Sequence, residues 1–329
     1  MELYVIFIII VALAFDFLNG MNDAANSIAT IVSTRVLSPK MAVLWAAFFN
    51  FVAAFGFGVA VATTIGKGII DPKIVTPDLI FGSLVGAIVW THLCTHYGYP
   101  ISVSHALIGG LAGAGLYKGG FDVLNMGGIE RVLLFIFLSP TIGMIMAFFL
   151  MIAVYWIFKD WNSRQVDKVF RVGQLVSSAA YSLGHGTNDA QKTMGIITIL
   201  LYSTGYFQGG EMYVPWWVII SAHTAIGLGT LMGGWKVVGT LGVKLTHLKP
   251  VHGFCAEGAG SLVLLGTAMF GIPVSTTHTI AGAIMGVGAT RRLSAVRWGI
   301  VGKIVMAWVF TIPTSAAIGA LSYWLIDLF

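Results

Sequence analysis

Apolar residues run through this chain in long stretches, and charged residues fall mostly in the short gaps between them. The gaps leave eight apolar segments, at 3–34, 41–65, 79–117, 132–158, 172–206, 215–235, 253–289 and 304–326. The period-two alternation of half-buried strands is absent, and every segment is long enough to be a helix. A helix rises about 1.5 Å per residue and a bilayer core is about 30 Å thick, so roughly 20 residues make one crossing. Segments 41–65, 132–158, 215–235 and 304–326 have single-span lengths. Segments 3–34, 79–117, 172–206 and 253–289 are too long for one straight crossing and are expected to break or fold back. The pattern predicts an all-α polytopic membrane protein with broken helices and re-entrant segments.

Composition excludes the alternatives. Of 329 residues, 57% are hydrophobic and 9% charged, against about a quarter charged in ordinary soluble chains. A soluble enzyme, a disulfide scaffold and a disordered chain are ruled out. The net charge of +5 is scattered over several loops, which excludes nucleic acid as a partner. The cysteines, Cys94 and Cys255, both sit in apolar stretches. The first 30 residues have no basic leader and belong to the mature fold.

Lysine and arginine set the orientation. Four regions (35–40, 159–171, 236–249 and 291–303) together carry +11 and are expected in the cytoplasm, while the remaining loops and ends carry −3. Threading the segments between these sides gives three crossings and one re-entrant excursion in each half, with both termini extracellular. Residues 1–158 and 159–329 then form two repeats of opposite orientation within one membrane domain, joined at about 159–171.

Two motifs support the duplication. Gly20-Met21-Asn22-Asp23 recurs as Gly186-Thr187-Asn188-Asp189, 166 residues on. Pro100-x-Ser102-x-x-His105, followed by Gly109, Gly113 and Gly115, recurs 173 residues on as Pro273-x-Ser275-x-x-His278 with Gly282, Gly286 and Gly288. Inverted repeats with broken helices mark secondary transporters, whose site lies near midplane where the breaks meet.

The motifs carry complementary chemistry. Asp23 and Asp189 lie inside apolar segments, where a carboxylate costs a few kcal/mol unless it has a partner or faces a cavity. Placed at helix breaks, Asn22, Asp23, Asn188 and Asp189 would offer carboxylate, amide and freed backbone oxygens to a hard cation such as Na⁺; capping a half-helix is the alternative. Asn26 and Gln191 would add oxygens to the cation or hydrogen bonds to an anion. Ser102 and Ser275 are N-cap candidates for half-helices over 103–115 and 276–288. Such N-termini present free N–H groups and about half a positive charge, which suits an anion. The hydroxyls of Ser104, Thr276 and Thr277 would add donors; satisfying only the local backbone is the alternative. His105 and His278 read as neutral imidazoles tied into the caps. Lys192 has three open roles (an aspartate partner, an anion contact or a snorkelling side chain), and Thr193 is accessory. Glu257 lies near the cytoplasmic boundary as either a water-exposed acid or a gate residue.

These paired motifs resemble the PiT family of inorganic phosphate transporters, and Gly184-His-Gly-Thr-Asn-Asp-Ala-Gln-Lys-Thr-Met-Gly195 is similar to its prokaryotic form. The resemblance covers essentially the whole chain. It implies cation-coupled phosphate symport, with Na⁺ in one branch and H⁺ in another, by a homo-oligomer, expected to be a dimer, in the cell membrane. It implies no cofactor beyond the coupling ion and no enzyme activity. Lys192 stands where animal members often have Asn, and their large cytoplasmic insert is absent. Some relatives carry sulfate. Phosphate fits the residues better, because it keeps a proton near neutral pH and so needs acceptors beside donors. Two aspartates and a monovalent phosphate sum to −3; two Na⁺ and two helix dipoles of about +0.5 each would balance that. An anion channel and an intramembrane aspartyl protease are the alternatives from other classes, the latter resting only on two buried aspartates.

The loop charges make a direct prediction. Glu2→Cys and Asp327→Cys should both react with a membrane-impermeant thiol reagent from the extracellular side. Labelling of the two positions from opposite sides would refute the inverted arrangement.

Overall fold

The computed structural model describes residues 2–56, 58–207 and 211–328, without the side chains of 66 and 67. Residues 208–210, within the loop expected at 207–214, lie outside these. The described chain is helical throughout, with one isolated bridge between Ile70 and Leu124. The helices are α1 (Leu3–Ser33), α2 (Pro39–Val52), α3 (Ala60–Gly68), α4 (Pro77–Tyr97), α5 (Val103–Gly119), α6 (Met126–Ile157), α7 (Ser163–Ser203), α8 (Trp216–Met232), α9 (Trp235–Gly239), α10 (Pro250–Met269), α11 (Thr276–Ala289) and α12 (Trp298–Asp327). The same order runs twice: a long helix (α1, α7), an interrupted pair (α2–α3, α8–α9), a hairpin (α4–α5, α10–α11) and a long closing helix (α6, α12).

Breaks fall where the chain cannot continue a helix, and two fall elsewhere than expected. Segments 79–117 and 253–289 do fold back, at 98–102 and 270–275, each before a Pro-x-Ser. Segments 3–34 and 172–206 do not break: α1 and α7 pass without interruption through both Gly-x-Asn-Asp motifs. α7 exceeds one crossing because its first turns, from Ser163, are polar and exposed, and an Asn162–Gln165 capping box starts it. Conversely, two single-span segments are interrupted. Segment 41–65 tightens into a 3₁₀ turn at Ala53–Phe55 before α3, and segment 215–235 bends by 65° at Gly233-Gly234. Gly233, at φ 68°, holds a left-handed conformation that other residues resist.

α1, α4, α6 and α12 are each long and apolar enough to cross a membrane, and α8 with α9 makes a bent fifth candidate. α7 is too polar to qualify because its buried stretch carries His185, Asn188, Asp189, Gln191 and Lys192. Other helices, not lipid, enclose that stretch.

The halves interlock. α6 packs on α11 and α12 on α5, so each closing helix covers the hairpin of the other half; likewise α1 lies on α8, and α7 on α2 and α3. The glycines after each Pro-x-Ser make this possible. A Cβ on Gly282 would lie 2.0 Å from the Pro140 carbonyl oxygen of α6, and one on Gly113 would lie 2.0 Å from the Ala316 carbonyl oxygen of α12. Small residues at such crossings let backbones touch, the main source of helix association where the solvent is itself apolar.

Loops expected on one side meet one another. Arg171 donates to the Arg35 carbonyl, joining the basic loops 35–40 and 159–171. Arg297 N–H donates to the Leu245 carbonyl, joining 236–249 to 291–303. Among the uncharged-balance loops, Asp71 N–H donates to the Val123 carbonyl and Tyr4 Oη to Asp78.

A substitution at one of the crossings should separate the helices. Gly282→Ala should destabilise the protein by about 1–3 kcal/mol, the usual cost of overpacking, seen as a lower thermal midpoint in detergent. Gly266→Ala should not, since nothing lies within 4 Å of a Cβ there. Equal midpoints for the two variants would contradict the tight crossing.

Candidate functional site

The two unbroken helices carry the aspartates side by side. Asp23 of α1 and Asp189 of α7 are fully enclosed, at 2% and 0% exposed. His185 lies one turn before Asp189, which places its Nε2 3.1 Å from Asp189 Oδ2 and 3.8 Å from Asp23 Oδ2. His185 Nδ1 lies 3.1 Å from Asn50 Oδ1, within hydrogen-bond distance of the amide oxygen. One ligand atom from each of Asp23, His185 and Asp189 falls within 4.8 Å of the others.

The two hairpins aim their second helices at this pair. Ser102 Oγ and Ser275 Oγ accept from the N–H groups of His105 and His278, each at 3.2 Å, so both serines cap as their spacing predicted. The cap places the next residues against the aspartates. Thr276 Oγ1 lies 2.9 Å from Asp189 Oδ2 and 3.3 Å from Asp23 Oδ2, and can donate to either. Thr277 Oγ1 donates to Asp23 Oδ1 at 3.2 Å and accepts from Asn26 Nδ2 at 2.9 Å. Lys192 Nζ donates to Asp189 Oδ1, to Ser104 Oγ and, at 3.0 Å, to the Val274 carbonyl. Tyr181 Oη donates to the Thr276 carbonyl at 2.8 Å.

These contacts pair the halves crosswise. Asn26 reaches Thr277 of the second hairpin, while Lys192, 166 positions on, reaches Ser104 of the first. Neither half holds a complete constellation. The geometry juxtaposes two helix N-termini, three hydroxyls, two carboxylates and one ammonium, which together offer donors and acceptors to a small oxyanion and oxygens to a cation.

Several expectations need correction. The Asn-Asp motifs lie inside continuous helices, so they neither cap half-helices nor free backbone carbonyls; only their side chains are available. Asn22 Nδ2 donates to Thr95 Oγ1 and Asn188 Nδ2 to the Gly184 and Leu264 carbonyls, leaving each Oδ1 without a partner. Gln191 faces elsewhere: its Oε1 accepts from Val61 and Ala62 N–H and its Nε2 donates to the Gly58 carbonyl, tying up the start of α3. The histidines join the caps only through their backbone N–H groups. Their rings meet 4.9 Å apart, and His278 stacks on Trp308. Glu257 is not a water-exposed acid; it is fully buried and accepts from Thr30, Gln174 and Ser177. Lys192 resolves to an aspartate partner, and Thr193 lies buried beside it on α7. The residues unforeseen at the site are Tyr181, His185 and Asn50. His185 was open to discovery through its i, i+4 spacing from Asp189, a signal that only an unbroken helix makes meaningful.

The family model described as a phosphate transporter family matches residues 19–319. The chain belongs to that family. It is 58% identical to the probable low-affinity inorganic phosphate transporter of Rhizobium meliloti (strain 1021), over 98% of this chain and 96% of the relative. It is 43% identical to the protein of the same description in Bacillus subtilis (strain 168), over 98% and 97%. A solved structure titled "The sodium-dependent phosphate transporter" superposes with a TM-score of 0.88 at 27% identity, covering 100% of both chains. The protein is therefore a multi-pass membrane phosphate transporter of the PiT family and not an enzyme, and the aspartyl-protease reading is set aside.

Proposed function

We propose that this transporter is a Na⁺-coupled phosphate symporter, which binds its substrates between the two hairpin N-termini and the Asp23–Asp189 pair and works by alternating access. The observation that carries the reading is Thr276 within hydrogen-bond distance of both aspartates, because it brings an anion-binding helix start and two acids from different halves to one point. The N–H groups of the capped helices and the hydroxyls of Ser104, Thr276 and Thr277 donate to phosphate, while a carboxylate accepts the proton that phosphate retains. The sodium-dependent title of the superposed structure supports Na⁺ as the coupling ion.

Cation coupling follows from charge. Asp23 and Asp189 repel an anion unless they are neutralised. Lys192 already neutralises Asp189, so the two central Na⁺ expected from the motifs reduce to one, held at Asp23 with oxygens from Asn22 and Asn26. Two carboxylates, one ammonium, one Na⁺ and a monovalent phosphate sum to −1, which the two half-helix dipoles, at roughly +0.5 each, balance. Na⁺ and phosphate then bind cooperatively, and their coupling is reciprocal. The crosswise pairing of halves gives the pivot: rocking one half against the other exposes the same residues to either side. The loop charges support a reading with both termini outside, and the bacterial relatives suit the cytoplasmic membrane; we include a homodimer in this reading.

Uptake of labelled phosphate into proteoliposomes tests it. Asp23→Asn should abolish accumulation driven by a Na⁺ gradient, and Lys192→Gln should steepen the Na⁺ dependence by restoring the need for a second central cation. Accumulation driven by a proton gradient alone would overturn Na⁺ coupling.

Ser104→Ala and Thr277→Ala should each weaken phosphate binding. A hydroxyl bonded to a charged ligand contributes about 1.5–3 kcal/mol, roughly tenfold to a hundredfold in affinity. Unchanged affinity in either variant would confine the site to one half.

A further inference from the structure

Two turns before Asp23, α1 buries an acid that the proposed site does not use. Asp16 is 0% exposed, and neither of its carboxylate oxygens has a hydrogen-bond partner. It lies against Asn19, one turn on, and Thr193 of α7. Asn19 Oδ1 and Thr193 Oγ1 are also buried without a partner. Asp16, Asn19 and Thr193, which carry four side-chain oxygens between them, thus meet where α1 packs on α7, roughly 10 Å along the helix from Asp23. Among the described residues no lysine or arginine pairs with Asp16. The charged and titratable groups within range of it are His185 and Asp189, both engaged with each other and with Asp23 or Lys192.

A buried carboxylate without a countercharge is among the costliest groups a membrane protein can hold. A proton would serve one of the four oxygens. A hard cation uses them all, because carboxylate, amide and hydroxyl oxygens are its ordinary ligands. The duplication supplies an internal comparison. Ser182 stands 166 positions after Asp16, and its hydroxyl donates to the Ser178 carbonyl in an ordinary back-bond. His185 stands opposite Asn19 and is occupied by Asn50 and the aspartates. The acid at position 16 therefore belongs to one half alone and is not a requirement of the repeated fold.

We infer that Asp16, Asn19 and Thr193 form a second cation site, for one Na⁺, separate from the phosphate-binding centre. The ion neutralises Asp16 and leaves the central charge balance unchanged, so two Na⁺ accompany each phosphate, one on each side of the α1 turn that carries Asn19. The role of this ion in transport rests on the symport reading; its binding does not.

Equilibrium binding of ²²Na⁺ to the purified full chain in detergent, without phosphate, tests the site. Asp16→Asn should remove one bound Na⁺ per chain, and Asp23→Asn should remove the other. Thr193→Val, which keeps the side chain's shape, should weaken one of the two sites at least tenfold, and it carries the test if Asp16→Asn does not purify as a monodisperse protein. An unchanged Na⁺ count in Asp16→Asn, or an unchanged affinity in Thr193→Val, would overturn the site and assign Asp16 a proton. That result would leave the symport reading intact, because failure there is read from phosphate uptake by Asp23→Asn.

Discussion

Two carboxylates held within reach of one threonine hydroxyl, in the interior of a membrane protein, constrain everything around them. Like charges so close in a poorly polarisable medium repel strongly, and the fold answers from several directions. Lys192 pairs with Asp189, Thr276 bridges toward both acids, Thr277 donates to Asp23, and the starts of two half-helices converge on the same point. None of these partners is local to Asp23, so α1 can bury its acid only when α11 from the other half is in place. The proposed site and the fold share the same contacts.

That dependence explains the interlocked packing. A hairpin whose inner helix starts in the buried interior leaves polar backbone groups that lipid cannot satisfy. Each hairpin must therefore be covered on its lipid side, and the closing helix of the opposite half does so. Gly109 and Gly113 let α5 seat on α12, while Gly282 and Gly286 let α11 seat on α6. Prolines occupy matching places in the covering helices, Pro140 and Pro313. The carbonyl of Pro140 itself is the surface that Gly282 meets, so the close approach and the irregular helix turn coincide.

How much of this was legible in the chain depended on the kind of signal. The Pro-x-Ser breaks carried their own mechanism, since proline and an N-cap serine act on neighbouring residues, and both appear where the spacing placed them. The Gly-x-Asn-Asp breaks did not exist. Their expectation rested on segment length alone, and length cannot distinguish a broken helix from a long continuous one, which α1 and α7 both are. Nor could it show that 41–65 is interrupted, because that break depends on tertiary partners such as Gln191, which holds the start of α3. The water-exposed alternative for Glu257 fails for a similar reason: its three donors come from α1 and α7, distant in sequence from α10. Asp16 was visible as an acid in an apolar run, but its lack of a Lys or Arg partner is a property of packing.

The duplication finally matters most where it fails. A perfectly symmetric pair of halves would give both acids the same neighbours and could not distinguish a resident charge from a transported one. Here position 26 is Asn and position 192 is Lys, so one carboxylate carries a tethered cation and the other presents only neutral donors. A tethered charge cannot dissociate; an ion at Asp23 can. Coupling needs that difference, because an exchangeable cation makes anion affinity depend on the ion's concentration on the side the site faces, whereas a fixed one only sets a baseline. Position 16 breaks the symmetry in the same half, adding an acid where its counterpart is a serine. The half that gained no lysine thus holds two buried acids without a tethered countercharge, and that is where a mobile cation has reason to bind.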